Sequence, residues 1–146
     1  MSKLSPIEIK NETFSKIQKK FNSVGKIKKL FKVVNPEDKI SNFKQFSEGN
    51  QIEFEVFHGT KQKYVKSVLK YGFLLELNKA SSKGIGTYFS KNISKSHTYT
   101  DYGTSIGKFM FLCDIVIEPT TNIINGGVEI IINNDDAILI RYLICY

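Results

Sequence analysis

The chain has 146 residues, 41% of them hydrophobic and 24% charged, with 11 Phe and 7 Tyr. That is enough apolar matter for one compact domain, and it excludes a largely disordered protein. The net charge of +7 sits almost wholly in residues 1–50, which hold 11 Lys against 5 acids; the rest is nearly balanced, with 10 basic and 9 acidic residues.

Other function classes fall away quickly. No apolar run approaches the roughly 18 residues of a membrane span. The start, Met1 to Pro6, lacks the apolar stretch of a secretory signal. The two cysteines, Cys113 and Cys145, each sit in an apolar run, which excludes a disulfide scaffold and a cysteine-based zinc site. A reducing, intracellular setting is expected, in cytoplasm or nucleus or after delivery into a host cell. Arg141 is the single arginine among 21 basic residues, so the basic half reads as a solvated lysine face rather than a base-reading surface.

In chain order, residues 1–10 read as a lead-in and residues 11–146 as one domain. Phe14, Ile17 and Phe21 recur at helical spacing, with Lys16, Lys19 and Lys20 on the other side; the pattern predicts a helix over 11–22, broken by Gly25. Lys26 to Val34 reads as a strand. Asn35-Pro36-Glu37-Asp38 reads as a capped helix start, with Ile40, Phe43 and Phe46 as the buried stripe. From Ile52 the period changes to two, and Ile52, Phe54 and Val56 form the buried side of a strand. Thr60 is placed to cap a helix running to Tyr71, with Tyr64, Val65, Val68 and Leu69 inward and Gly72 as its stop. Phe73 to Leu77 is expected as a short strand, 78–83 as a loop, Ile85 to Ser90 as a strand and Ile93 to Tyr99 as a short helix. Lys108 to Ile117, almost continuously hydrophobic, reads as a strand buried on both faces. A turn region over Pro119 to Gly127 and strands over Glu129–Ile132, Ala137–Ile140 and Tyr142–Cys145 complete the chain. Helices first and then mostly strands predict an α+β fold.

Three segments carry polar chemistry. Phe57-His58-Gly59-Thr60 ends an apolar strand. Gly84-Ile85-Gly86-Thr87-Tyr88-Phe89-Ser90 precedes Ser94-Lys95-Ser96-His97-Thr98-Tyr99. Glu129 is a lone carboxylate opening an apolar strand. Taken singly each has an ordinary structural reading: a hydrogen-bonded histidine, a tight turn, core tyrosines, a polar strand start, and His97 as an exposed helical residue. The glycines lack the third glycine and following helix of a dinucleotide-binding fingerprint.

Taken together, and over roughly residues 8–146, these segments resemble the catalytic domain of the poly(ADP-ribose) polymerase family of ADP-ribosyltransferases. His58-Gly59-Thr60 is similar to the first family motif. Gly84, Gly86, Tyr88-Phe89, Ser94-Lys95-Ser96 and Tyr99 are similar to the second. Glu129, placed before Tyr142-Leu143-Ile144, is similar to the third. The resemblance implies an ADP-ribosyltransferase-like fold, with two packed, mainly antiparallel sheets, an NAD cleft and N-terminal helices. It implies His58, Tyr88 and Glu129 as the catalytic set. His58 would meet the adenine-side ribose of NAD. The Gly59 backbone and the Ser96 hydroxyl would hold the nicotinamide carboxamide. Tyr99 and Tyr88 would cover the two faces of the ring, and Glu129 would bond the 2′-hydroxyl of the nicotinamide ribose. Ser90, where the family usually has alanine, is counted with the NAD-binding residues, and Thr87 stands where an aliphatic residue is usual.

These residue types suit the chemistry. The nicotinamide of NAD is a cationic ring that tyrosine faces hold by stacking and by cation–π attraction of roughly 0.5–2 kcal/mol. Cleaving its bond to ribose builds positive charge on the sugar, which a fixed carboxylate stabilises. Nicotinamide leaves neutral, so no general acid is required. NAD enters as substrate, and no metal is implied.

The expected activity is NAD-dependent transfer of one ADP-ribose unit to a macromolecule, a protein before a nucleic acid. The stretch from Glu118 to Val128 is short where polymerases hold the growing polymer. No regulatory helical domain precedes the catalytic part, so autoinhibition by one is not expected, and a monomer away from membranes is. The alternatives are poly- or oligo(ADP-ribose) synthesis, NAD glycohydrolysis, a silent NAD- or ADP-ribose-binding module, and a basic nucleic-acid-binding domain built on the eight Lys of residues 10–32.

Overall fold

The computed structural model describes residues 2–73, 86–124 and 128–146. Its elements are β1 (Lys3–Ile7), α1 (Glu12–Phe21), β2 (Lys29–Val34), α2 (Glu37–Ser47), β3 (Gln51–Thr60) and α3 (Gln62–Tyr71). They continue with β4 (Thr87–Phe89), α4 (Ile93–His97), β5 (Phe109–Ile117), β6 (Asn122–Ile124), β7 (Glu129–Ile132), a 3₁₀ turn (Asp135–Ala137) and β8 (Ile138–Cys145). The strands form a five-stranded sheet in the order β1-β2-β8-β5-β3 and a three-stranded sheet in the order β4-β7-β6. Every described pairing is antiparallel. One bridge, Phe57 to Ser90, stitches the edge of the large sheet to the small one.

Side chains alternate across β3 and β5, and this sorts the core into two. On one face of the large sheet Val56, Phe111, Cys113 and Ile115 pack with α2, α3 and the small sheet. On the other, Phe57, Met110 and Leu112 pack with Phe14, Ile17 and Phe21 of α1 and Ile93 of α4. Burying one such aromatic or aliphatic side chain contributes about 1.5–3 kcal/mol. β5 is buried along nearly its whole length, Asp114 included, as its nearly continuous hydrophobic run predicts.

Several expectations need correction. The lead-in contains an edge strand, β1, paired register-to-register with β2; its Pro6 is tolerable there because an edge has one side without partners. Asn35 does not cap α2: its Nδ2 donates to the Ile140 carbonyl at 2.8 Å, and Pro36 takes the cap position. Of that helix's expected stripe Phe43 is buried, but Ile40 is exposed.

In β3 the alternation fails at a bulge between Glu53 and Val56. Glu55 takes a positive φ of 56°. Its N–H donates to buried Asp114 at 3.1 Å, whose other oxygen is held by Arg141 at 2.8 Å. The bulge turns Phe54 outward to 63% exposure.

Thr60 stays in the strand and α3 begins at Gln62, whose N–H is capped from a distance by Asp101 at 2.8 Å. Gly72, at φ 80°, ends that helix as expected. The expected turn over Pro119 to Gly127 contains β6, and the two predicted C-terminal strands are one continuous β8. The predicted strand beyond Phe73, the loop at 78–83, and Gly84 and Ile85 lie outside the described residues.

Candidate active site

β3 delivers His58 and Gly59 at its end. The paired strands β4 and β7 deliver Tyr88, the middle residue of β4, and Glu129, the first of β7. Tyr88 stands opposite Ile131, and Ile131 and Glu129 are two apart on one strand, so Tyr88 and Glu129 share a face of the small sheet on a cross-strand diagonal. Phe89, Ile130 and Ile132 point the other way, into the core. The apolar alternation of β4 and β7 thus fixes which face carries the polar groups.

Glu129 is 1% exposed. A buried carboxylate needs donors, and α4 and its extension supply them. The Tyr99 hydroxyl donates to Glu129 Oε1 at 3.1 Å, and Lys95 Nζ lies 3.8 Å from the same oxygen. Lys95 and Tyr99 are four residues apart, one helical turn, which is why both face the same carboxylate. Burial and the neighbouring Glu129 push the Tyr99 hydroxyl up to about 12, so it stays a proton donor. The Tyr99 ring is 41% exposed and tilted to the Tyr88 ring, centroids 6.3 Å apart. Neither ring is core. Lys95 lies within the Ser94-Lys95-Ser96 motif without a role implied by it; its four-residue spacing from Tyr99 is the signal in the sequence that links it to Glu129.

His58 Nδ1 lies 2.7 Å from the Tyr88 carbonyl oxygen. A carbonyl only accepts, so Nδ1 carries the proton and Nε2 is left as an acceptor. Burial lowers the His58 pKa to about 4, which keeps the ring neutral near pH 7. Phe73 and Phe89 flank it, with centroids 4.9 and 5.5 Å away. Phe73 is itself pinned by its N–H to Asp135 at 2.9 Å.

Gly59 is required by space. A Cβ there would come within 1.8 Å of the Ser96 carbonyl oxygen of α4. Phe57 exchanges both backbone hydrogen bonds with Ser90, at 2.8 and 3.0 Å, on the outer edge of β3. The ladder alternates, so the N–H and C=O of Gly59 turn to that same outer edge. Ser96 is buried and its hydroxyl donates to the Phe57 carbonyl at 3.0 Å, leaving its oxygen lone pairs as acceptors. The Ser90 hydroxyl donates to the Val128 carbonyl and accepts from the Asn92 N–H. It therefore ties β4 to the starts of α4 and β7.

The structure thus links the sequence-derived residues by contact, from His58 through the Tyr88 backbone, the Tyr99 ring and its hydroxyl to Glu129. His97 differs from expectation. It is half-buried, with Nδ1 2.6 Å from the Tyr146 hydroxyl. Among the described residues, no group of three or more His, Cys, Asp or Glu side chains could hold a metal ion. No helix among them is long and apolar enough to cross a membrane. The profile of the poly(ADP-ribose) polymerase catalytic domain matches residues 8–138, nearly the whole chain. No curated protein matches it.

Proposed function

The chain belongs to the poly(ADP-ribose) polymerase catalytic-domain family, and from that premise we propose that it transfers a single ADP-ribose unit from NAD to a macromolecular acceptor, releasing nicotinamide. The observation that carries the reading is Glu129: a carboxylate 1% exposed, held by the Tyr99 hydroxyl, on the same sheet face as Tyr88.

In this reading the outward N–H and C=O of Gly59 pair with the carboxamide of nicotinamide, and the Ser96 oxygen accepts its second N–H. Tyr99 and Tyr88 flank the cationic ring. His58 Nε2, an acceptor, takes a hydrogen bond from a hydroxyl of the adenine-side ribose. Glu129 accepts from the 2′-hydroxyl of the other ribose. The bond from C1′ to the ring nitrogen breaks and its electron pair leaves with the ring, which becomes neutral nicotinamide. Glu129 stabilises the cation left at C1′. The acceptor nucleophile forms the new bond to C1′ and gives up its proton to Glu129 or to water. Single transfer is favoured because the short connection from β5 to β7 is partly occupied by β6, leaving little chain to hold a polymer.

The test is incubation with NAD labelled in its adenine half, with cell lysate as acceptor. Label on protein at the mass of one unit, with free nicotinamide, is expected. Glu129→Gln should still bind NAD and lose about 100–1,000-fold in rate. Nicotinamide release without labelled macromolecules would point to NAD glycohydrolysis, a ladder of products to polymer synthesis, and binding without turnover to a recognition module.

A further inference from the structure

α1 covers one face of the large sheet, packing on Leu30, Phe57, Met110, Leu112 and Ile144. His58 is directed to the opposite face, against Phe73 and Phe89. The outer side of α1 is therefore a second surface, separated from the NAD-site histidine by the sheet itself.

That surface is cationic. All eight Lys of residues 10–32 are exposed, and Glu12 is the sole acid in the stretch. Glu12 pairs with Lys16 at 3.4 Å and Glu55 with Lys20 at 3.3 Å. Among the described residues, no acid pairs with Lys10, Lys19, Lys26 or Lys28.

A cavity of about 530 Å³ opens in the same surface, lined by Ile9, Phe14, Ser15, Asn22 and Lys26 together with Gln18 and Gly25. Gln18 holds it in shape: its Oε1 accepts from the Ile27 N–H at 2.8 Å, and its Nε2 donates to Asn22 Oδ1 and the Gly25 carbonyl, both at 3.3 Å. Lys10 follows Ile9 in sequence, and Lys19 lies one helical turn from both Ser15 and Asn22. Lys26 thus lines, and Lys10 and Lys19 adjoin in chain or helix position, a partly apolar recess whose volume falls in the usual range of small-molecule sites.

We propose that this face binds single-stranded nucleic acid without sequence preference, with phosphates on Lys10, Lys19, Lys26 and Lys28 and an unstacked base in the cavity. The chemistry selects this partner. Lysines are point charges suited to backbone phosphates, and without an arginine fork they attract them without reading bases. A recess with an apolar wall adds what a stacked duplex cannot fill. Such a strand would leave the His58 side of the large sheet open.

The probe is a fluorescent 20-nucleotide oligothymidylate titrated with the full chain by anisotropy. Binding should weaken with salt at a log–log slope of roughly −2 to −3, about −0.7 per lysine engaged. Lys10→Glu, Lys19→Glu and Lys26→Glu combined should lower affinity more than tenfold. Ser15→Leu, which narrows the recess without an aromatic face on which a base could stack, should lower it several-fold. Both variants should keep wild-type melting temperature and nicotinamide release. No binding at 50 mM salt, a duplex or polyglutamate bound as tightly as the single strand, or full affinity in Ser15→Leu would each overturn the proposal.

Discussion

The Tyr99 hydroxyl donates to Glu129 from 3.1 Å across the gap between α4 and the small sheet. Tyr99 therefore has two separable parts, a ring face and a proton donor. Its pKa is raised to about 12 by burial and by Glu129 itself, so the donor persists at any ordinary assay pH. Tyr99→Phe keeps the ring and removes a donor from a buried carboxylate, a change of about 1–3 kcal/mol. The expected outcome is a kcat lowered about 10–100-fold with little change in KM for NAD. Tyr99→Ala should raise KM as well. Steady-state kinetics of nicotinamide release separate the two, and a fully active phenylalanine variant would remove the donor role.

Gly59 and Ser96 meet more closely than any side chain permits. A Cβ on Gly59 would sit 1.8 Å from a backbone oxygen, which cannot swing aside as a side chain can. Gly59→Ala must push α4 off β3, and Ser96 and Tyr99 move with it. Overpacking ordinarily costs about 1–3 kcal/mol, and this contact belongs at the upper end. Thermal unfolding should show the loss of stability, and nicotinamide binding measured by calorimetry should weaken at least tenfold. A variant with the wild-type melting temperature and affinity would show that α4 is not seated on Gly59.

Much of this was legible because local pattern and tertiary demand agreed. The run from Phe109 to Ile117 has no polar face and became the doubly buried β5. Phe14, Ile17 and Phe21 at helical spacing became the inner side of α1. What stayed hidden depends on distant partners. Glu55 takes its positive φ because Asp114, 59 positions away, captures its N–H. Asn35 looks like a cap but is claimed by Ile140, 105 positions on. The site behaved likewise. Motif order singles out Glu129 as a candidate, yet Lys95 as its neighbour, Ser90 as a tie and His97 as a partner of Tyr146 follow only from three-dimensional packing.

The His97–Tyr146 contact braces the helix that carries Ser96. α4 has five residues, too few to hold its own shape. One of its ties is the 2.6 Å contact from His97 to the Tyr146 hydroxyl. Tyr146 is buried, its ring edge-to-face with Phe21 at 5.0 Å. Tyr146→Phe removes the hydroxyl that meets His97 and Thr100 and preserves the packing, at about 1 kcal/mol or somewhat more, or roughly 4 °C in melting temperature. Since the proposed reading puts nicotinamide against α4, KM for NAD should rise a few-fold while kcat holds. An unchanged KM alongside the lowered melting temperature would confine the contact to stability.

The remaining prediction concerns pH. His58 is neutral in the folded chain down to about pH 4, whereas an unfolded histidine takes up its proton near 6.5. Between those values the unfolded state binds more protons, so acidification favours unfolding. The stability attributable to a neutral His58 is complete above pH 6.5, declines as pH falls toward 4 and levels off below it. The ceiling is about 3 kcal/mol, from about 1.4 kcal/mol per pKa unit. His58→Gln retains an N–H for the Tyr88 carbonyl and an acceptor for the sugar, but cannot titrate. Melting temperatures at pH 7 and pH 4.5 should therefore drop further in the native chain than in the variant. Over pH 5.5–8, kcat/KM should show no inflection that disappears in His58→Gln. Equal pH dependence of stability in the two proteins would mean that burial does not lower the His58 pKa.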